Sequence, residues 1–302
     1  MSHGSDSVKT IFYALGANSA IAVAKFVAAF ITGSGSMLAE AVHSSADCAN
    51  QLLLLLGIKR AKQPPTADYP LGFGKEAYFW SFIVALMLFS MGGLVAIYEG
   101  IHKLQEPEDI IQPWLAIGVL VFAILAESVS LRACLKEINK ERNGRSLRLW
   151  FKETRQSELL VVLGEDIAAL LGLCIALMAI ALTMLTGNPL FDAAGSIIIG
   201  VLLIVVAFFI GKEVKALLIG QGVEPHVREE MLAYFDSADG VDQVFNLLTL
   251  QLGSDIMVAV KVKMVSYQTP QEMIDAINQC EKQFKQRFPQ VLWLFFEPDC
   301  HD

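Results

Sequence analysis

The stretch SMLAEAVHSSADCANQLLLLLGI, residues 36–58, decides how this chain is organised. It is long enough for a helix to cross a bilayer, yet it carries His43 and Asp47 in its interior. Residues four apart on a helix project from the same face about one turn apart, so these two side chains can grip one divalent ion. An ionisable residue at membrane depth is costly unless it faces a cavity or a partner. The pair therefore predicts a route for ions or protons.

The composition is that of a polytopic membrane protein. Of 302 residues, 54% are hydrophobic and only 18% are charged, and the mean hydropathy is +0.51. The net charge of −8, without a gathered basic surface, argues against a nucleic-acid partner. Five cysteines without a CxxC pair predict reduced thiols. The first ten residues resemble neither a signal peptide nor a presequence, so we expect the first apolar span to be retained.

Six segments are long and apolar enough to cross a hydrocarbon core about 30 Å thick. The stretches after the second and fourth spans are rich in Lys and Arg, whereas those after the first, third and fifth are not basic. The positive-inside rule therefore predicts that both termini lie in the cytoplasm. The predicted spans are, approximately, residues 10–33, 38–60, 77–103, 112–137, 158–185 and 190–217.

The last part of the chain becomes charged and amphipathic. Pro225 is typical of a helix start, and residues 244–265 read as two strands around a Gly-Ser-Asp turn. A second helix and a last strand follow, which predicts a small α+β domain of order αββαβ whose open sheet surface favours self-association. The predicted domains are a six-helix transmembrane domain, 8–220, and a cytoplasmic domain, 221–302.

Three more acidic residues interrupt the apolar spans. Glu165 and Asp166 are adjacent in the fifth span, and adjacent helical residues diverge by about 100°, so both cannot face one ion equally well. Asp166 is the better candidate ligand, and Glu165 lies beside it or accepts a proton; alternatively, both face the basic cytoplasmic loop. Glu127, midway along the fourth span, is either a ligand or proton carrier or the partner in a buried hydrogen bond.

Other polar residues in the spans have simpler interpretations. Asn18, Asn50 and Gln51 are expected to join helices by hydrogen bonds rather than to touch the ion. Glu40, one turn before His43, either lines an exit path or extends to the membrane interface.

The predicted ligand set constrains the metal. One imidazole with two or three carboxylates suits Zn²⁺, Mn²⁺, Fe²⁺ or Co²⁺ and does not suit Cu⁺. Because such ligands must lose protons to bind, alternating exposure of the site would exchange metal for protons. We expect no resident cofactor, since the metal is cargo, and the chain has no Walker-type GxxxxGK[ST] sequence.

The chain resembles the cation diffusion facilitators. The motifs that carry the resemblance are GSGSMLAEAVHSSAD, DYPLGFGKEAYFWS after the second span, and GNPLFDAAGSIIIG at the start of the sixth. ESVSL in the fourth span and EDIAALLG in the fifth are most similar to the mitochondrial-type zinc transporters of that family. The resemblance implies six spans, a cytoplasmic ferredoxin-like domain, and a homodimer that exports divalent metal from the cytoplasm by proton antiport.

Residue by residue, the resemblance implies that His43, Asp47 and Asp166 bind the metal. The family's histidine in the fifth span is missing, because Val162 occupies its position. Glu165, Glu127 or water can complete the set. Without this histidine, the resemblance does not imply strict selectivity for Zn²⁺.

Two further sites of the family look incomplete here. The loop after the second span keeps Asp68 but has no histidine, so we expect no second metal there. The C-terminal domain offers His226 and the tail EPDCHD. That tail is either a regulatory metal site or a frayed polar terminus. The tail residues concerned are Glu297, Asp299, Cys300 and His301.

The leading hypothesis is therefore a secondary transporter that exports Zn²⁺ from the cytoplasm, in the bacterial inner membrane. One alternative is an exporter selective for Mn²⁺, Fe²⁺ or Co²⁺, and another is a metal-sensing membrane protein whose transport site has decayed. An intramembrane metal hydrolase is disfavoured, because the HExxH signature is absent. We expect no enzymatic activity.

Overall fold

A computed structural model describes residues 3–107, 112–142 and 144–301, without the side chains of residues 3–14, 17 and 36. The chain divides into two compact units. The membrane unit comprises Met1–Gly57, Phe79–Leu147 and Ser157–Val214, and the C-terminal unit comprises Ile58–Tyr78, Arg148–Gln156 and Lys215–Asp302.

Long helices account for the apolar part of the sequence. In chain order the helices are α1 His3–Thr32, α2 Gly35–Ala61, α3 Glu76–Met87, α4 Val95–Gln105, α5 Pro113–Glu141, α6 Leu147–Glu153, α7 Ser157–Thr186 and α8 Leu190–Ile219. A π-helical segment, Leu88–Leu94, joins α3 to α4 in one continuous helix. The short α6 precedes α7.

Four helices in the described part of the chain are long and apolar enough to cross a bilayer. They are Glu76–Gln105, Pro113–Glu141, Ser157–Thr186 and Leu190–Ile219. In α1 the described apolar stretch, Asn18–Thr32, is shorter, and α2 carries charged and polar side chains along its length. A multi-pass helical membrane protein is thereby confirmed, while the count of six spans stays a prediction.

The π-helical segment packs closely against α8. A Cβ atom at Gly200 would lie 2.6 Å from the carbonyl oxygen of Gly93, so the two backbones approach at a distance that only glycine permits. At Gly92, a Cβ atom would lie 4.0 Å from Nδ1 of His43. The segment therefore lies beside the polar face of α2, which fits the frequent occurrence of π-helical turns at functional sites.

The start of α2 is fixed by α8. Asp192 accepts hydrogen bonds from the Ser34 hydroxyl and from the Gly35 backbone N–H, both at 2.8 Å. The Lys103 ammonium donates to the Gly33 carbonyl oxygen. A carboxylate suits a helix start, where backbone N–H groups lack helical partners. These contacts fix where α2 begins, and therefore where its polar residues lie.

The C-terminal unit contains a three-stranded sheet with two helices packed against it. The elements are α9 Pro225–Asp236, β1 Val241–Leu252, β2 Asp255–Met264, α10 Pro270–Arg287 and β3 Val291–Pro298. The element order αββαβ is the one predicted, and the strand order in the sheet is β1-β2-β3. β1 and β2 are antiparallel around a turn at Gly253, whose φ is +66°, and β2 and β3 are parallel with α10 as the crossover.

One face of this sheet forms the core with the two helices. Val258 and Val260 of β2 are buried against Phe284 of α10, as the alternating pattern of the strand predicts. The other face is open, and its side chains include the exposed Leu248 and Phe295.

Two connecting segments of the chain belong to the C-terminal unit. The Tyr78 hydroxyl accepts a hydrogen bond from the Gly253 N–H at 3.0 Å, which ties the first turn of α3 to the β1–β2 turn. The Arg155 guanidinium donates to the Gly222 carbonyl oxygen at 2.6 Å. Parts of both basic stretches are therefore packed in this unit rather than free connections.

Candidate metal site

One stripe of α2 carries the candidate ligands. Glu40, His43, Asp47 and Asn50 follow one another at intervals of three or four residues, so they lie along one face of the helix. All four are buried, and His43 has no exposed surface. His43 Nδ1 lies 3.5 Å from Asp47 Oδ1. The two residues of the predicted pair are therefore adjacent.

Several buried polar atoms along this helix have no hydrogen-bond partner among the described residues. Buried polar groups are nearly always paired, and an unpaired one needs an explanation such as a bound ion. A divalent cation would engage imidazole nitrogen and carboxylate oxygen directly. The atoms are Glu40 Oε1, both ring nitrogens of His43, Asp47 Oδ1, Asn50 Oδ1 and Gln51 Oε1.

Glu165 and Asp166 of α7 diverge. Glu165 Oε1 accepts a hydrogen bond from Asn50 Nδ2 of α2 at 2.5 Å. The Asp166 carboxylate accepts from the Ser130 hydroxyl of α5, at 3.3 and 3.4 Å to its two oxygens. Both acids are buried, so the alternative that they merely face the basic loop is wrong. Asn50 joins two helices, as expected.

Glu127 of α5 belongs to the same electrostatic group. It is 6% exposed and lies one turn before Ser130. Its charge acts on Asp47, Glu165 and Asp166. Since α5 also packs against α7, the acids of α2, α5 and α7 lie close enough to one another to interact electrostatically.

The predicted ligands are close to one another but do not form a ready ligand set. Within the described ranges, no three side chains of His, Cys, Asp or Glu are placed to hold one metal ion. Asn50 orients Glu165, Ser130 orients Asp166, and like charges favour separation when no cation lies between them. Side-chain rotation towards the His43–Asp47 pair would be needed to gather them.

Sequence reasoning missed Lys25. Its ammonium group donates to the Ser44 hydroxyl at 2.6 Å and to Glu40 Oε2 at 3.2 Å, and neither Lys25 nor Glu40 has exposed surface. Glu40 therefore does not extend to the membrane interface. The signal was a lysine within the apolar run AIAVAKFVAAF, residues 20–30, because a buried charge requires a partner.

The tail is held to the sheet at Asp299. Its backbone N–H donates to the Val262 carbonyl oxygen at 2.9 Å, and its carboxylate lies 3.0 Å from Lys261 Nζ. The hydrogen bond from Lys261, with those from the N–H groups of Cys300 and His301, lowers the pKa of Asp299 below its usual value. The expected fraying is therefore wrong at this residue.

Known proteins match most of this chain. Residues 11–219 match the cation efflux transmembrane domain. The mitochondrial proton-coupled zinc antiporter SLC30A9 of Homo sapiens is 34% identical over 248 residues, which cover 81% of this chain and 44% of that protein. Metal tolerance protein C4 of Arabidopsis thaliana is 30% identical over 249 residues, 82% of this chain and 54% of its own length.

A relative of similar length is the zinc transporter ZitB of Escherichia coli, which is 23% identical over 301 residues, 98% of this chain and 91% of that protein. By contrast, the chain spans less than half the length of the SLC30A9 relatives. The domain match covers more than half of the chain. The chain therefore belongs to the cation efflux family, the cation diffusion facilitators, and to its mitochondrial-type branch.

Proposed function

We propose that this protein is a secondary active transporter that exports a divalent metal cation from the cytoplasm in exchange for protons, with Zn²⁺ as the preferred cargo. The observation that carries the proposal is the buried His43–Asp47 pair, which has unpaired polar atoms and lies within electrostatic reach of Glu127 of α5 and Glu165 of α7. Two relatives, a zinc antiporter and a zinc transporter by name, support the same cargo.

His43 and Asp47 supply the first two ligands, and Asp166 supplies the third. Val162 stands where the family resemblance implies a histidine. Glu165 takes its place most directly, because its bond to Asn50 brings it to the α2 stripe, and Glu127 is the second candidate. A set of one imidazole and several carboxylates suits Zn²⁺ and also Mn²⁺, Fe²⁺ and Co²⁺, so an exporter of these ions is the alternative.

Proton exchange follows from the chemistry of the ligands. Carboxylates and imidazole bind metal only after losing their protons, and they take up protons again when the metal leaves. A buried site that opens to one side of the membrane at a time therefore converts a proton gradient into metal movement. No ATP is needed for this cycle, and no enzymatic step is part of it.

The transporter has six spans with both ends in the cytoplasm. Residues 8–220 form its transport domain, and residues 221–302 form a cytoplasmic ferredoxin-like domain. Supporting observations are the αββαβ order and the open sheet face with Leu248 and Phe295, a surface suited to pairing in a homodimer. The membrane that we propose is the bacterial inner membrane. The relative that matches 98% of this chain comes from Escherichia coli, whereas the SLC30A9 relatives are named mitochondrial.

Transport in liposomes tests the proposal. The purified protein is reconstituted with a zinc-sensitive dye inside, and an acidic interior is imposed. We expect zinc uptake with proton release in the wild-type protein, and loss of both in Asp47→Ala, because its carboxylate is a ligand. Uptake of Mn²⁺, Fe²⁺ and Co²⁺ into the same liposomes, measured as the total metal taken up, shows which ion the protein transports best.

Asp68→Ala is the matched control, since Asp68 lies exposed in the loop after α2, and its zinc flux should equal that of wild type. Unchanged flux in Asp47→Ala would show that transport does not use this site. Absence of flux in the wild-type protein, with zinc still bound, would favour a metal sensor instead.

A further inference from the structure

We propose that Lys25 is a fixed counter-cation of the acidic site, a positioning residue that sets how tightly the site binds a divalent metal. The inference rests on the proposed metal-transport function and adds a residue from α1 to it. Lys25 does not touch the metal; it acts through Glu40 and through its charge.

Lys25 of α1 reaches the face of α2 that carries the candidate ligands. Its ammonium group contacts Glu40, three residues before His43, and Ser44, which directly follows His43. Both charged groups are completely buried. A charge at this depth is retained at considerable cost. Two buried charges beside His43 are therefore better explained by an effect on the site than by stability alone.

Glu40 has one oxygen engaged and one free. Oε2 pairs with Lys25 at 3.2 Å, while Oε1 has no hydrogen-bond partner in the described part of the chain. Oε1 points at Gly172 of α7, where a Cβ atom would overlap it. A glycine at this position leaves room for the carboxylate between α2 and α7. Lys25 thus fixes an acid at the boundary between the two helices that carry the ligands.

Lys25 affects metal binding through the net charge of the site. The buried acids of the site carry up to five negative charges, and Lys25 offsets one of them. The field of Lys25 reaches His43, Asp47 and Glu127 as well as Glu40. The five acids are Glu40, Asp47, Glu127, Glu165 and Asp166.

Removing one buried charge beside the site changes the affinity for a divalent ion by roughly tenfold, if the effective dielectric constant lies between that of protein and that of water. The direction depends on which charge is removed. Lys25→Met makes the site more negative, so zinc should bind about tenfold more tightly and leave more slowly, with lower KM and lower kcat. Glu40→Gln makes the site less negative, so KM and Kd should rise about tenfold.

The double variant separates charge from structure. Lys25→Met/Glu40→Gln removes both charges and keeps the net charge of the site, so its zinc Kd should return close to the wild-type value. Lys140→Met is the matched control. Lys140 also pairs with a glutamate, Glu137 at 2.7 Å, but this pair is exposed near the end of α5. Its loss should leave the zinc Kd unchanged.

The experiment measures zinc Kd by calorimetry on the purified full-length variants, and KM and kcat in liposomes. Opposite shifts of Kd in the two single variants support the proposal. Shifts in the same direction, or no shift in either, overturn it and make Lys25 a structural link between α1 and α2.

Two safeguards keep the test decisive. Lys25→Met could fail to fold because Glu40 loses its partner. In that case Glu40→Gln is compared with the double variant, since the two differ only at residue 25. The double variant should then bind zinc more tightly than Glu40→Gln. Because Kd needs no transport, a wild-type protein that binds zinc without moving it refutes the proposed function but leaves this inference to be judged on Kd.

Discussion

Asn50 joins the two helices that carry the candidate ligands. It lies three residues after Asp47 on α2 and donates to Glu165 of α7 across the buried interior. A carboxylate buried without a hydrogen-bond donor is unfavourable, and removing the donor costs more than the bond itself contributes. Asn50 therefore both stabilises the membrane unit and keeps Glu165 directed at the α2 stripe.

We predict that Asn50→Leu lowers the free energy of unfolding by about 1–3 kcal/mol. The reason is that Glu165 remains buried while its donor is lost. Gln51→Leu is the neighbouring control, because the Gln51 side-chain oxygen has no partner in the described residues and its removal should cost little. Thermal unfolding of the purified variants compares the two. Equal losses of stability in the two variants would show that the Asn50–Glu165 hydrogen bond does not stabilise the protein as predicted.

The helix α2 depends on its first turn for its position. Asp192 of α8 accepts from both Ser34 and Gly35 at 2.8 Å and is only 2% exposed. A carboxylate at a helix start accepts hydrogen bonds from N–H groups that lack helical partners, and it interacts favourably with the positive end of the helix dipole. Because His43 and Asp47 are two to three turns further along, a shift of this start would displace them.

Asp192→Ala should destabilise the start of α2 by about 1–3 kcal/mol, because two buried donors lose their acceptor. Asp192→Asn should have a smaller effect, since its side-chain oxygen can still accept one bond. Hydrogen exchange of the backbone amides in residues 35–40 measures the change locally. Exchange rates in the alanine variant that match those of wild type would contradict the assigned role.

The elements themselves were largely predictable. The apolar runs gave helix bounds within a few residues for α5, α7 and α8, and the alternation along β2 gave the buried face of the sheet. The π-helical segment Leu88–Leu94 was not predicted. Its sequence continues the apolar run of α3, so periodicity predicts an ordinary helix there. The close approach of Gly93 to Gly200 of α8 is a tertiary contact, which periodicity does not contain.

The site was predictable only in part. The spacing of His43 and Asp47 indicated their shared face, because helix geometry alone determines it. The directions of Glu165 and Asp166 depend on Asn50 and on Ser130, which lie on other helices, so no local pattern could assign them. The apolar run around Lys25 marked it as a buried charge, but its partner could not be assigned from the sequence, because Glu40 lies in the next helix.

The whole molecule combines two units whose sequences differ in character. The membrane unit gathers buried acids, a histidine and Lys25 in an apolar surrounding. The C-terminal unit builds its sheet and also includes parts of the basic stretches, Ile58–Tyr78 and Arg148–Gln156, through contacts such as that of Tyr78 with Gly253. Metal selection is therefore expected to reside in the membrane unit, with the C-terminal unit free to differ among relatives.

The central claim is that His43 and Asp47 bind the transported metal together with acids of α7. Anomalous diffraction at the zinc absorption edge, from crystals of the full chain grown with Zn²⁺, tests it most directly. We predict a peak about 2.0–2.2 Å from an imidazole nitrogen of His43 and a carboxylate oxygen of Asp47, with Asp166 or Glu165 as a further ligand. Zinc bound only elsewhere, for example at the Cys300 tail, with no peak at His43, would contradict the claim.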